Sequence, residues 1–294
     1  MNKLNASHIA EWLPQRALTA HKGTFGRVLV VAGSRQMCGA GFLCAKSALA
    51  AGAGLVAWAL PASMQPAFAA ALPEVITCPL TENSEGLLAS QEELFSFYNQ
   101  FKPSLVVFGP GMGNSPVLIG LLEKMNVPAV VDADGLNALA RLSLSWPKER
   151  PAVFTPHPGE MARLLKTDIA REANERLAQV RALADKTGAV AILKGHNSLV
   201  ACGEEIFENT TGGPALAKAG CGDVLSGLVA GLWAQLGAIN GWNNQTALRA
   251  ALCGVYLHGL AGDLAAKQKT DFCVLATDVL AFISQAIQIV LKEK

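Results

Sequence analysis

Charge is scarce in this chain, and it is balanced. Acidic and basic residues make up 16% of the sequence, and 24 Lys and Arg against 23 Asp and Glu leave a formal net charge of +1. A nucleic-acid surface calls for clustered Lys and Arg, whereas here they are scattered. The seven cysteines form no CxxC pair, and their number is odd. Most sit among apolar neighbours, which reads as reduced thiols in a cytoplasmic protein. Met1 to Arg16 has no continuous apolar core, so no signal peptide is expected there. No charge-free run reaches the roughly 20 apolar residues of a membrane helix. Repeats, low-complexity tails and an interdomain linker are missing too, as is a Walker A loop.

What the chain has is apolar bulk. Of its 294 residues 51% are hydrophobic, enough for one large α/β domain, expected to span residues 1–294. Short runs rich in β-branched residues fall at Arg27–Ala32, Leu55–Leu60, Leu105–Phe108, Ala129–Asp132, Ala152–Thr155 and Ala189–Lys194. Each is nearly continuous rather than alternating, as strands covered on both faces of a parallel sheet are. Helical patterns lie between them, at Ala40–Ala53, Glu92–Gln100, Pro116–Met125, Pro158–Leu165 and Arg171–Thr187. Ser198–Cys202 and Glu205–Phe207 read as an antiparallel pair, and the chain then turns helical to its end. Val279, Phe282, Ile283, Ala286, Ile287 and Val290 form the stripe of a helix docked on a sheet. This order implies an α/β sandwich of three layers, with a mostly parallel central sheet and helices on both faces. Ligands bind such sheets at the strands' carboxyl ends, and five glycine-rich or polar loops fall there.

The most informative segment is Asn209–Gly227, a glycine-rich turn that runs into an apolar helix. The first N–H groups of a helix lack intrahelical acceptors and attract anions. Gly220 and Gly222 let that backbone approach a phosphate. Asp223 repels a phosphate unless it works on the group that attacks it, so it reads as a general base for phosphoryl transfer to a hydroxyl. The plain alternative is a helix cap.

The other loops carry two readings each. His157, stiffened by flanking prolines, reads as a ligand contact, and Glu160 either caps its helix or joins the site. Asp132, Asp134 and Asn137 hold magnesium or orient a hydroxyl, or else form an Asx-turn. Lys194, which ends a strand, reaches a phosphate or is solvated in a hairpin. Gly109–Gly113 touches ligand through its backbone or is a tight turn. His258 and Asp263 read as packing and surface features, and Cys221 as a small turn residue rather than a reactive thiol.

Together these motifs resemble the ADP-dependent NAD(P)H-hydrate dehydratase family of the ribokinase-like superfamily. The matching blocks are Lys22–Ser34, Gly109–Gly113, Asp132–Asn137, Thr155–Met161 and Gly220–Gly227, in family order from about Lys22 to Asp263. The Gly-x-Gly-Asp step is common to the superfamily. The His157 and Lys22 blocks are far more specific. The resemblance implies phosphorylation of the 6-hydroxyl of the S epimer of NAD(P)H-hydrate by ADP, with Mg2+, and then loss of phosphate to restore NAD(P)H. It implies that Ala40, Gly113, His157 and Asp223 contact the hydrate, Asp223 as base. Lys194, Gly195, His196, Asn197, Ser198 and Gly222 would surround the adenosine nucleotide. A homo-oligomer, tetrameric by resemblance, is expected, with no membrane or nucleic-acid partner.

Gly213 departs from the family pattern, which often has Asn there, so a polar contact near the phosphates is missing or comes from elsewhere. Some family members carry an N-terminal epimerase domain, and none is expected here. The closest rival is a kinase of the same fold acting on a vitamin-precursor alcohol, which would leave the phosphate on its substrate. A nucleotide sensor without catalysis is the other, and the intact Asp223 speaks against it.

Overall fold

Apolar runs too continuous for a one-sided strand need cover on both faces, and the computed structural model supplies it. It describes residues 1–143 and 145–293. In chain order the elements are β1 (Asn2–Lys3), α1 (Ala6–Trp12), β2 (Arg27–Val31), α2 (Cys38–Ala50), β3 (Leu55–Pro61), α3 (Gln65–Ala71) and β4 (Ile76–Leu80). Then come α4 (Gln91–Phe101), β5 (Leu105–Phe108), α5 (Val117–Lys124), β6 (Ala129–Val131), α6 (Asp134–Arg141), β7 (Ala152–Phe154), α7 (Pro158–Leu165) and α8 (Ala173–Thr187). The chain ends with β8 (Val190–Leu193), β9 (Leu199–Cys202), β10 (Glu205–Glu208), α9 (Cys221–Asn240), α10 (Asn244–Lys269) and α11 (Ala276–Leu291).

Among the described residues these strands form one 10-stranded sheet in the order β1-β10-β9-β8-β7-β6-β5-β2-β3-β4. Pairing is parallel from β4 to β8, and β9 is antiparallel to both neighbours. Alternate side chains of each strand serve different cores. Val28, Val30, Trp58 and Val107 join α1, α2, α9, α10 and α11 on one face. Leu29, Val31, Phe108 and Phe154 join α4 to α8 on the other. The expected three-layer sandwich and the β9–β10 pair are both present.

Helix α9 is the one segment among the described residues long and apolar enough to cross a membrane by length and composition. Of its apolar stretch 78% is buried, and it carries Asp223, so in this fold it is a core helix. Its Gly227 and Gly231 let it lie directly on α2. A Cβ at either position would overlap the carbonyl oxygen of Cys44 or Ala48. Ser47 Oγ also donates to Val224 O across this contact, at 2.7 Å.

The strand order reverses around β2, which has β3 on one side and β5 on the other. Crevices form at such switch points. The loops after β2 and β5 meet there, where Gly33 N–H donates to Pro110 O at 2.7 Å. Gly109 turns with φ +116°, and a Cβ there would overlap the carbonyl oxygen of Asp132 at the end of β6. The adjacent strand ends are thereby drawn together.

Candidate active site

Gly220 enters α9 with φ +89°, a conformation that suits glycine. The first i to i−4 bond of the helix is Val224 N–H to Gly220 O at 3.1 Å. The N–H groups of Gly222 and Asp223 precede it, as the anion-site reading requires. Asp223 lies in this first turn. Burial, and then the like charge of Asp132, push its carboxyl up to about 7; Lys194 opposes and Asp134 adds to the rise.

Asp132 is 1% exposed at the end of β6. Its Oδ1 accepts from Lys194 Nζ at 2.7 Å and from Ala133 N–H at 2.9 Å, and its Oδ2 accepts from Ser226 Oγ at 2.7 Å. Lys194 therefore is not a solvated hairpin lysine. Its side chain is 20% exposed, and its ammonium also lies 3.9 Å from Glu160 Oε2. Burial works against its charge, but Asp132 and Glu160 outweigh it and hold the ammonium above its usual range. A carbon at Gly222 would sit 3.5 Å from Lys194 Nζ, so the lysine lies beside the helix start. Ala133, between the two aspartates, adopts φ +48° and ψ −115°. For a residue with a Cβ this is a strained geometry, one that clusters at functional sites.

His157 caps α7. Its Nδ1 accepts from Gly159 N–H at 3.0 Å and Glu160 N–H at 3.4 Å, and its own N–H donates to Glu160 Oε2 at 2.8 Å. The capping role, one of the two readings of Glu160, is thus realised as a reciprocal pair. The ring is half-exposed. Burial, Lys194 and Arg163 lower its pKa, while burial raises that of Glu160. Asp134 starts α6; its Oδ2 accepts from Gly113 N–H at 2.7 Å, so that N–H is engaged within the protein. Asn137 Oδ1 accepts from Arg163 Nε at 2.9 Å. Ala40 lies in the first turn of α2, where a Cβ on Gly111 would stand 2.9 Å from its own Cβ. Ala40 and Gly113 thus border one turn.

Beside the helix start is a cavity of about 390 Å³. Its lining includes Lys194, Gly195, His196 and Ser198 from the turn after β8, Gly212 and Gly213 from the glycine-rich loop, Gly222 and Leu225 from α9, and His258 from α10. Of the five-residue turn Lys194–Ser198, Asn197 alone is not among the lining residues. Its Nδ2 donates to Glu208 Oε1 at 2.8 Å.

The sequence reading undervalued two residues of α10. His258 is buried, and its Nε2 donates to Cys221 O at 2.9 Å. A carbonyl accepts only, so the neutral ring carries its proton on Nε2. Burial lowers its pKa to about 4. Asp263 is not a surface ornament: its Oδ2 accepts from Gly212 N–H at 2.9 Å and holds the glycine-rich loop. A carbon on Gly213 would lie 3.7 Å from Asp263 Oδ1, so the carboxylate also borders that glycine. The signal for either residue was its place on a helix with a long apolar face. Cys221 is buried, and burial raises its thiol pKa, which fits a packing residue. All seven cysteines are free, as expected.

Residues 28–285 match the NAD(P)H-hydrate dehydratase family. A bifunctional NAD(P)H-hydrate repair enzyme of Moorella thermoacetica is 40% identical over 97% of this chain and 53% of its own length. The chain therefore spans about half the length of that relative. An ADP-dependent (S)-NAD(P)H-hydrate dehydratase of Listeria monocytogenes is 30% identical over 95% of this chain and 94% of its own. Among solved structures, a ribokinase-like superfamily protein of Enterococcus faecalis superposes with TM-score 0.83 at 26% identity, covering 98% of this chain and 96% of that one.

Proposed function

The chain belongs to the NAD(P)H-hydrate dehydratase family and has its ribokinase-like α/β fold, and we propose that it restores NAD(P)H from (S)-NAD(P)H-hydrate at the expense of ADP. The observation that carries this reading is Asp223, a half-buried carboxylate beside free helix N–H groups and an ion-paired lysine. The hydrate's 6-hydroxyl oxygen attacks the terminal phosphorus of ADP as Asp223 takes the hydroxyl proton. The bond from that phosphorus to its bridging oxygen breaks, and AMP leaves with the electron pair. The ring then expels phosphate and loses a proton from the adjacent carbon. Phosphate is a far better leaving group than hydroxide. Lys194 and the N–H groups of Gly222 and Asp223 face the charge that builds on the transferred phosphoryl oxygens.

The adenosine nucleotide is assigned to the cavity, beside Lys194, Gly195, His196, Ser198 and Gly222. The hydrate is assigned to the crevice between the β2 and β5 loops, beside Ala40, Gly113 and His157. Asn197 belongs to the nucleotide turn through its backbone. Mg2+ fits this donor set only as an ion borne on phosphates. Among the described residues no three His, Cys, Asp or Glu side chains converge, and magnesium keeps its waters and takes one or two carboxylates. Such an ion would neutralise phosphate charge. A cytoplasmic homo-oligomer, tetramer favoured, completes the reading; exposed Phe272 and Leu275, close together before α11, support an interface between copies.

Given hydrate, ADP and magnesium, the protein should release free phosphate in equal amount to the dihydronicotinamide recovered. A stable phosphorylated product overturns the dehydratase in favour of the kinase. The base must be ionised to act, and its pKa stands at about 7. On the acid side of that value kcat/KM should fall about tenfold per pH unit. A profile flat down to pH 5 removes Asp223 from the base role.

A further inference from the structure

Arg176 reaches the nucleotide turn from outside. It sits on α8, near the start of that helix and away from every motif block. Its Nη1 donates to His196 O at 3.0 Å and its Nη2 to Asn197 O at 3.2 Å. The two carbonyls are consecutive, and a planar guanidinium is the side chain suited to hold such a pair. The turn needs holding. Asn197 has φ +49°, a left-handed geometry that tolerates Asn but does not select it uniquely. On the far side Glu208 takes the Asn197 amide, and Ser198 Oγ donates to Gly195 O at 3.0 Å.

We infer that Arg176 is a positioning residue for the nucleotide site: its fork fixes the Lys194–Ser198 turn from behind, with Asn197 and Glu208 as the second point of attachment. The inference rests on the assignment of the cavity to the adenosine nucleotide. Its physical content is the direction of two dipoles. Carbonyl oxygens turned toward the guanidinium are withheld from an anionic ligand. Freed, the turn samples orientations that present those oxygens to the nucleotide, and the left-handed residue loses its support.

The test uses the full chain and compares Arg176→Ala, Arg176→Lys and Lys194→Ala. AMP and ADP binding is measured by calorimetry, KM for ADP and for the hydrate by turnover, and Tm by thermal unfolding. Arg176→Ala should weaken ADP about tenfold, as loss of a paired charged donor does. The hydrate KM and the kcat at saturating ADP should stay within about twofold, since the hydrate is assigned to another crevice and the Lys194 ammonium is held by Asp132 rather than by Arg176. Arg176→Lys should recover part of the loss, because an ammonium lacks the planar fork. If Lys194→Ala weakens ADP and Arg176→Ala does not, the clamp is overturned and the nucleotide site stands. Equal changes in both KM values, with a lowered Tm, also overturn it, as a general packing role would give them. If neither variant alters ADP affinity, the nucleotide assignment falls and takes the clamp with it.

Discussion

Asp223→Asn leaves the nucleotide bound and removes turnover by a factor on the order of 10² to 10⁴, the span of a lost general base. The amide keeps the shape of the side chain and cannot take the hydroxyl proton. Single-turnover phosphate release, with ADP affinity measured alongside, separates chemistry from binding. A rate near that of the parent chain sinks the assignment. The same variant should unfold differently with pH. Asp223 titrates at about 7 in the fold against an ordinary 3.8. Between those values the native state holds a proton that the unfolded chain has released, so its contribution to stability declines as pH rises and is lost above about 7. Asparagine has no charge to bury. The Tm of Asp223→Asn relative to the parent should therefore climb from pH 4 to pH 7 and level off beyond. A gap that is constant with pH means the carboxyl is not perturbed.

Gly227→Ala should cost the fold about 3 kcal/mol, the upper part of the range for overpacking a tight core. The new methyl would overlap the Cys44 carbonyl oxygen and stand 2.8 Å from Ser47 Cβ. Neither is the yielding end of a long side chain, so the α2 and α9 backbones must part. That lowers Tm by roughly 5–10 °C in a protein of this size. It also moves Ala40, on α2, away from Asp223, on α9, so turnover should fall even at temperatures where the chain is folded. Thermal unfolding and kcat/KM for the hydrate check both effects. An unchanged Tm would show that the two helices are not in bearing contact.

The parallel sheet is legible in the sequence because its strands are covered twice, and runs such as Val28–Val31 and Leu105–Phe108 have no polar side to blur them. Strand β4 escapes that logic. Ile76–Leu80 contains Pro79, which an edge strand tolerates because one side of its backbone has no neighbour. Helix α6 escapes because it begins within the Asp-Ala-Asp turn and runs only eight residues. In the site, the placement of Asp223 and the glycines at a helix start is readable because it is a local property. The Asp132–Lys194 pair, although both residues stood out singly, joins positions 62 apart. Arg176 and Asp263 lie on helices whose pattern speaks only of burial and exposure, and their partners are backbone atoms of distant turns.

The two turns that wall the cavity hang from opposite outer layers of the sandwich. Arg176 of α8 holds one, and Asp263 of α10 holds the other. The width of the cavity is therefore a dimension of the scaffold, set where β8 separates those layers. A ligand entering such a gap meets walls that are already in place. Little of its affinity is spent on ordering chain, and the free and occupied forms should differ more in side-chain orientation than in backbone path.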